Sequence, residues 1–431
     1  MRAYGVAPMT DVLHTPLSIG TMTVRNRLYR APVLEGTGDG PDAGDQYAKH
    51  FVENARHGVG LIIQGATCVT EEGRSGPGMS CADTRDKVMR FAPMVDAVHK
   101  EGARIVLQLG HGGLYAIEAW HEPYASNRKA PLVAPSSVPW QLRVAFRGIP
   151  VHALSTEEVR DLIARYGRIS AWAREAGYDG IQLGNSNAKL LDQFLSPFYN
   201  RRTDEFGGSL ENRARILRLI RASVAEHAGD DYPCLVKVAS EVGGIPGTKH
   251  TSFEDALTLA PLLEEWGFDA LTPCEVSAFP DTTLCRGGVP DGIWTNNGMK
   301  NRLKKAAPTR RKRAVLKLGA WYGGKRAPFK PVWNRHLFSE ITKRVSIPVF
   351  AVGGIRTAEE VNQILESGEA QMVGIGRPFY AEPDLADKIL AGDHGPRLCL
   401  NSNKCVSAQM LGMRGVCYNP AVTKAAARSS S

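Results

Sequence analysis

The chain has 431 residues, 43% of them hydrophobic, which allows a large core and excludes wholesale disorder. Its net charge of +9 is concentrated: thirteen Lys/Arg and no acid lie between Asp291 and Glu340, leaving 40 bases against 44 acids elsewhere, a mildly acidic body with one basic insertion and not a nucleic-acid binder. No apolar run approaches the ~20 residues that span a bilayer, residues 1–17 lack the pattern of a signal peptide, and eight cysteines in so long a chain do not make a disulfide scaffold; a reducing cytoplasm is the expected compartment.

Short apolar runs at 27–33, 60–69, 104–110, 180–184, 234–239, 270–274, 349–353 and 372–376 predict eight strands. They are continuous in Val, Ile and Leu, as in strands buried on both faces. Between the third and fourth, residues 111–154 form a connection too long for a plain loop, whose apolar pieces are expected to make a small hairpin. A helix is predicted over 156–176, with Val159, Leu162, Ile163, Tyr166, Ile169 and Trp172 on one face after the capping pair Ser155 and Glu158. A second follows Ser252 over 254–266. The basic insertion, residues 275–334, follows the sixth strand. Strand–helix alternation repeated eight times predicts an α/β fold, a (β/α)8 TIM barrel over 1–392, with a C-terminal extension at 393–431; a doubly wound sheet is the rival. There is no GxGxxG fingerprint.

In a barrel the working face lies at the C-terminal strand ends, and phosphate is often held after the last two strands. Gly353 and Gly354 end the seventh strand; Gly376 and Arg377 end the eighth. Glycines let backbone N–H groups approach phosphate closely, and arginine adds charged donors.

The run Leu190 to Leu217, LLDQFLSPFYNRRTDEFGGSLENRARIL, resembles the signature of the Old Yellow Enzyme family, FMN-dependent ene-reductases on a (β/α)8 barrel. The resemblance covers roughly 17–420 without the insertion, and it implies further roles. Ala31, Pro32 and Val33, in the first-strand motif, would lie along the flavin, with Ala66 of the second strand. Gln108 would address the flavin pyrimidine edge, and Lys237, where the family usually has Arg, would stabilise negative charge on the reduced ring.

The departures bear on the substrate. Where the family usually has His-x-x-His or His-x-x-Asn followed by Tyr, this chain has Gly184, Asn187 and Lys189, and Leu114 stands where Arg is common. Asn187 is expected to anchor the substrate oxygen and Lys189 to replace the proton donor; a solvent-facing or acid-paired Lys189 is the plainer reading. Larger relatives bind a [4Fe-4S] cluster through four tail cysteines. Cys399, Cys405 and Cys417 match as metal ligands, but Ser402 takes the fourth place. Serine is a poor replacement for thiolate, and this argues against an intact cluster.

The resemblance implies an FMN-dependent oxidoreductase that uses NAD(P)H to reduce an activated C=C bond. Lys300, Arg302, Lys304, Lys305 and Arg310 to Arg313 in the insertion suggest an anionic or CoA-linked small-molecule substrate. The alternatives are an FMN-dependent dehydrogenase of a ring or amine, and a flavin binder without turnover. No nucleic-acid or membrane partner is expected; self-association is left open.

Overall fold

The structure, a computed structural model, describes residues 11–116, 121, 130–279, 285–395 and 397–423. Eight parallel strands form the barrel: β1 (Leu28–Arg30), β2 (Leu61–Cys68), β3 (Arg104–Gly110), β4 (Gly180–Leu183), β5 (Cys234–Val242), β6 (Ala270–Ser277), β7 (Phe350–Val352) and β8 (Met372–Ile375). Each pairs with its neighbour in chain order, and β8 returns to β1 with Val373 opposite Leu28. Strands β6 and β7 meet only through the bridge Leu271–Val349. The ring order rules out the doubly wound sheet.

Side-chain alternation along the strands divides the core in two. Leu61, Ile63, Val106, Leu235, Phe350 and Met372 fill the barrel interior, while Ile62, Ile105, Leu107, Ile181, Val236 and Val373 pack outward against the helices. Ile19, Met22 and Val24 join the interior core from an antiparallel hairpin, Leu17–Ile19 with Met22–Val24.

Helices α1 (Ala43–Arg56), α2 (Ala92–Lys100), α3 (Thr156–Glu175), α4 (Leu210–Ala228), α5 (Phe253–Glu265), α6 (Arg335–Thr342), α7 (Ala358–Glu366) and α8 (Leu385–Leu390) follow the strands in turn. The capping box expected at Ser155 and Glu158 is formed, and Ser252 with Asp255 makes another at α5.

Among the described residues, the 111–154 connection does not form the expected hairpin. Its short strands Leu132–Ala134 and Val151–Ala153 pair in parallel, because the chain between them is long enough to carry it back before pairing, as parallel partners require.

The insertion supplies helices Gly292–Thr295, Asn297–Ala306 and Arg310–Arg326, which pack with the Lys404–Met410 helix of the extension. Ile293, Met299, Leu303, Ala306, Ala408 and Leu411 form that separate small core. Asn403 fastens the two segments, its Nδ2 donating to the carbonyls of Cys285 (2.7 Å) and Gly288 (2.8 Å). Residues 280–284 of the insertion and 424–431 of the tail lie outside the described residues.

Candidate active site

The C-terminal strand ends surround a cavity of about 330 Å³, within the usual range for small-molecule sites. It is lined by Ala31, Pro32 and Val33 from the end of β1, Ala66 from β2, Gln108 and His111 at β3, and Lys237 of β5. Gly353 and Gly354 after β7 and Gly376 and Arg377 after β8 close the other side. The pairing register of β2 shifts between Gln64 and Thr67, and a bulge of this kind re-aims a side chain.

Gly353 and Gly354 both have positive φ, +123° and +81°. A Cβ on Gly354 would meet Lys330 O at 2.5 Å and Trp333 Cδ1 at 2.8 Å. Trp333, which the sequence did not mark, thus lies against this turn, with the Arg286 guanidinium 4.1 Å above its ring. Arg377 donates to Asn403 Oδ1 and, at 2.9 Å, to the Arg286 carbonyl. Insertion and extension therefore fix the arginine that faces the cavity.

Gln108 Nε2 donates to Gln182 Oε1 (2.7 Å), and Gln182 Nε2 to Thr272 Oγ1 (3.0 Å). This buried row holds the Gln108 amide in place. The Lys237 ammonium has no hydrogen bond or ion pair among the described residues. His111, three residues beyond Gln108, also lines the cavity. Its Nδ1 accepts the Gly113 N–H at 2.9 Å, which puts the ring proton on Nε2. Burial, with Arg165 adding to it, pushes its pKa down to about 4, so the ring is neutral near pH 7.

After β4 the chain makes two successive left-handed residues, Asn187 (φ +59°) and Ala188 (φ +53°). Asparagine tolerates this conformation, whereas alanine is strained in it. The Ala188 N–H is held by Asp192 Oδ2 at 2.7 Å, and the turn carries Gly184, Asn187 and Lys189 to the cavity. Asn187 Oδ1 is buried without a hydrogen-bond partner among the described residues. Lys189 Nζ lies 3.5 Å from the Tyr115 carbonyl. Beneath the turn, burial raises the pKa of Asp192, and the neighbouring Glu241 charge adds to the shift. Glu241 accepts the Thr251 N–H at 2.7 Å, and burial pushes its pKa up to about 7.

The charge around the cavity is one-sided. Lys189, Lys237, Arg356 and Arg377 line it, and no Asp or Glu does among the described residues. None of Lys300, Arg302, Lys304, Lys305, Arg310, Arg311, Lys312 or Arg313 lines it either, so the basic helices lie away from the cavity wall.

Cys399, Cys405 and Cys417 gather around a separate small cavity of about 20 Å³, with Ser402 beside them, room for about one water. Cys285 lines the main cavity, and its thiol is also near enough to Cys405 to raise the pKa of that thiol. Burial pushes the Cys405 thiol up to about 12, with the neighbouring Cys285, Cys399 and Cys417 adding to the shift, and burial raises that of Cys417. Among the described residues, the His/Cys/Asp/Glu triple close enough to share one ion is Glu71, Cys81 and Asp83, and its acids already pair with Arg74 and Lys87. Three thiols with Ser402 in the fourth place supply one ligand fewer than the four thiolates a [4Fe-4S] cluster takes.

The signature run lies mainly behind the site. Asn200 Nδ2 donates to the carbonyls of Phe194 and Phe206, both at 2.7 Å. Arg213 Nε donates to Leu195 O at 2.6 Å, and Arg215 Nε to Glu205 O at 2.9 Å. The run ties the start of α4 to the β4 turn.

Comparison with known proteins agrees with this geometry. The model of the NADH:flavin oxidoreductase / NADH oxidase family matches residues 12–271 and 299–394. A metal reductase of Desulforamulus reducens is 30% identical over 398 residues, 91% of this chain and 51% of that protein. A cinnamate reductase of Clostridium sporogenes is 27% identical over 410 residues, 90% of this chain and 54% of that protein. The chain thus spans about half the length of these relatives. In fold it resembles histamine dehydrogenase from Rhizobium sp. 4-9, with a TM-score of 0.74 at 22% identity over 96% of this chain and 53% of that one. No helix among the described residues is long and apolar enough to cross a membrane. With the family model covering both sides of the insertion and the strand ends forming one cationic cavity, the chain belongs to the NADH:flavin oxidoreductase family, the Old Yellow Enzyme type of FMN barrel.

Proposed function

We propose that this chain uses NAD(P)H to reduce the activated C=C bond of an anionic or CoA-linked acceptor. The observation that carries the reading is a cavity with no carboxylate among its described lining residues, in which Lys189 and Arg356 remain as cations beside the two, Lys237 and Arg377, that serve the cofactor. Its features fit FMN: a glycine turn that a Cβ would fill, a lysine with no protein partner, and an unpartnered buried amide oxygen. When bound, FMN supplies hydride transfer in both half-reactions.

The chain's own residues supply position and charge. Backbone N–H groups at Gly353, Gly354 and Gly376, with Arg377, hold the phosphate. Ala31, Pro32, Val33 and Ala66 flank the ring. Gln108 and Lys237 would hold the pyrimidine edge of a bound flavin, where a cation would stabilise developing negative charge. Asn187 donates its amide N–H to the acceptor's oxygen. Lys189 delivers the proton to the carbon next to the one that receives hydride, and it attracts an anionic acceptor. The name of the cinnamate reductase relative, an enzyme of an unsaturated acid, supports this substrate class.

The test is the Lys189→Met variant. Flavin reoxidation by an unsaturated acid should slow about tenfold or more, the usual size of a proton-donor effect, while flavin reduction by NAD(P)H stays unchanged. Equal rates in both half-reactions would remove Lys189 from the mechanism. The similarity to histamine dehydrogenase favours amine oxidation as a second reading. Anaerobic bleaching of the flavin by an amine, without NAD(P)H, would select it.

A further inference from the structure

The Arg310–Arg326 helix has two apolar sides. Leu316 and Ala320 pack inward against the small core of the insertion and extension. Gly324 also faces inward, since a Cβ there would meet Val289 Cα at 2.7 Å. The outward side carries Val315, Leu318, Trp321 and Tyr322, which are 64%, 65%, 49% and 55% exposed. Val315, Leu318 and Tyr322 are spaced i, i+3 and i+7, so they form one stripe along the helix.

Cations frame this stripe. Arg311 stands one turn before Val315, and Lys325 and Arg326 one turn beyond the last apolar residues; all three are exposed. Arg326 Nη1 donates to Tyr322 OH at 3.1 Å, and its guanidinium sits 5.3 Å from that ring. The whole segment from 292 to 339 contains no acid. Its helical cations do not line the cavity, so substrate capture does not account for them.

We propose that this helix is a docking surface for an anionic lipid bilayer, lying in the headgroup plane with its stripe turned into the boundary. Exposed apolar clusters on soluble proteins mark interaction sites. Trp and Tyr have an apolar body and a polar edge, which suits the membrane–water boundary. Arg and Lys lay their alkyl stems along apolar surface while their charges reach the phosphates. Binding here would combine partial burial of these exposed apolar side chains with attraction of the flanking cations to anionic headgroups. A second copy of the chain is a poorer match: outside the segment, 40 bases stand against 44 acids, too nearly balanced to offer a strongly anionic face.

The test uses the full flavin-loaded chain with vesicles of phosphatidylcholine alone, or with about one third phosphatidylserine. Sedimentation with the anionic vesicles should be at least about tenfold tighter at low salt and largely lost near ~0.5 M salt. Anionic vesicles should shift the tryptophan emission to the blue, and Trp321→Phe should abolish most of that shift. The paired variants Leu318→Ser/Tyr322→Ser and Arg311→Glu/Lys325→Glu should each weaken vesicle binding about tenfold, with unchanged circular dichroism and NADH oxidation. Absence of sedimentation at low salt, or equal binding to both vesicle types, overturns the proposal. So does a dimer in sedimentation velocity that Leu318→Ser/Tyr322→Ser converts to monomer while vesicle binding is unaffected; the stripe would then belong to self-association.

Discussion

Asn334 Nδ2 donates to the Pro273 carbonyl at 2.8 Å, across the seam where the barrel is weakest. Its Nδ2 also reaches the Val352 carbonyl (3.2 Å), and its Oδ1 accepts the Glu275 N–H (3.0 Å). One fully buried side chain thus joins β6 to β7, which share only the bridge Leu271–Val349.

Asn334→Ala should therefore be costly. It leaves two carbonyls and one N–H unpaired in a buried place, where an unsatisfied group costs about 1–3 kcal/mol. A loss of about 3 kcal/mol in chemical denaturation is expected, since some of these groups will find water. A loss below about 0.5 kcal/mol, typical of surface changes, would show that the seam holds without Asn334.

The signature run yields a pH prediction. Arg202 Nε lies 2.9 Å from Asp204 Oδ1, and Thr156 Oγ1 lies 2.5 Å from Oδ2. The Arg202 hydrogen bonds are the main reason the Asp204 pKa falls from 3.8 to about 2. A depressed acid stabilises the fold above its unfolded pKa, and this is lost as pH falls through the folded value. Asp204→Asn should therefore lower the melting temperature near neutral pH, with the gap to wild type closing between about pH 4 and 2. A gap independent of pH would mean that shape, not charge, holds the run.

What could be read in the sequence follows from how local the physics is. The strands were legible because continuous Val, Ile and Leu runs reflect burial on both faces. The caps of α3 and α5 were legible because Ser155 and Ser252 act within three residues. The run at 190–217 announced the family, but not that Asn200 binds the Phe194 and Phe206 carbonyls or that Arg202 binds those of Pro135 and Leu154 in the 111–154 connection. The roles of Trp333, Asn334 and Asn403 were illegible. Each depends on partners brought together by the closed barrel, such as Asn403 on Cys285 and Arg377, and no local pattern records such pairings. The basic residues misled for the same reason: their place after β6 suggested the cavity, whereas Met299 and Leu303 pack their helix against the extension.

Glu241 should make stability fall as pH rises. Burial lifts its pKa from 4.5 to about 7. The folded state then holds a proton that the unfolded chain releases between those values, so the stability it lends below pH 4.5 is lost as pH rises through 7. Glu241→Gln keeps the shape without the ionisation. Its melting temperature should fall less than that of wild type between about pH 5 and 8, so that the variant gains at the alkaline end. Parallel curves for the two proteins would rule out Glu241 as the source of the slope.

The β4 turn allows a gain of function to be tested. Gly184 does not occupy the left-handed region, so a side chain is not forbidden by its backbone. A Cβ there would lie 3.1 Å from Leu109 O and 3.5 Å from Gln108 Cγ, requiring a shift of only a few tenths of an ångström. Gly184→His would restore a donor at the place where the family carries its first substrate anchor, beside Asn187. One added hydrogen bond to an activated oxygen is worth about 1–2 kcal/mol, or roughly tenfold in rate when it strengthens in the transition state. The variant should therefore reduce a neutral cyclic enone about tenfold faster than wild type, measured as kcat/KM by NADPH consumption. An anionic acceptor that already engages Lys189 should gain less. If the variant keeps its flavin and its fold but gains nothing on the enone, the acceptor oxygen does not lie between residues 184 and 187, and Asn187 loses its proposed role as anchor.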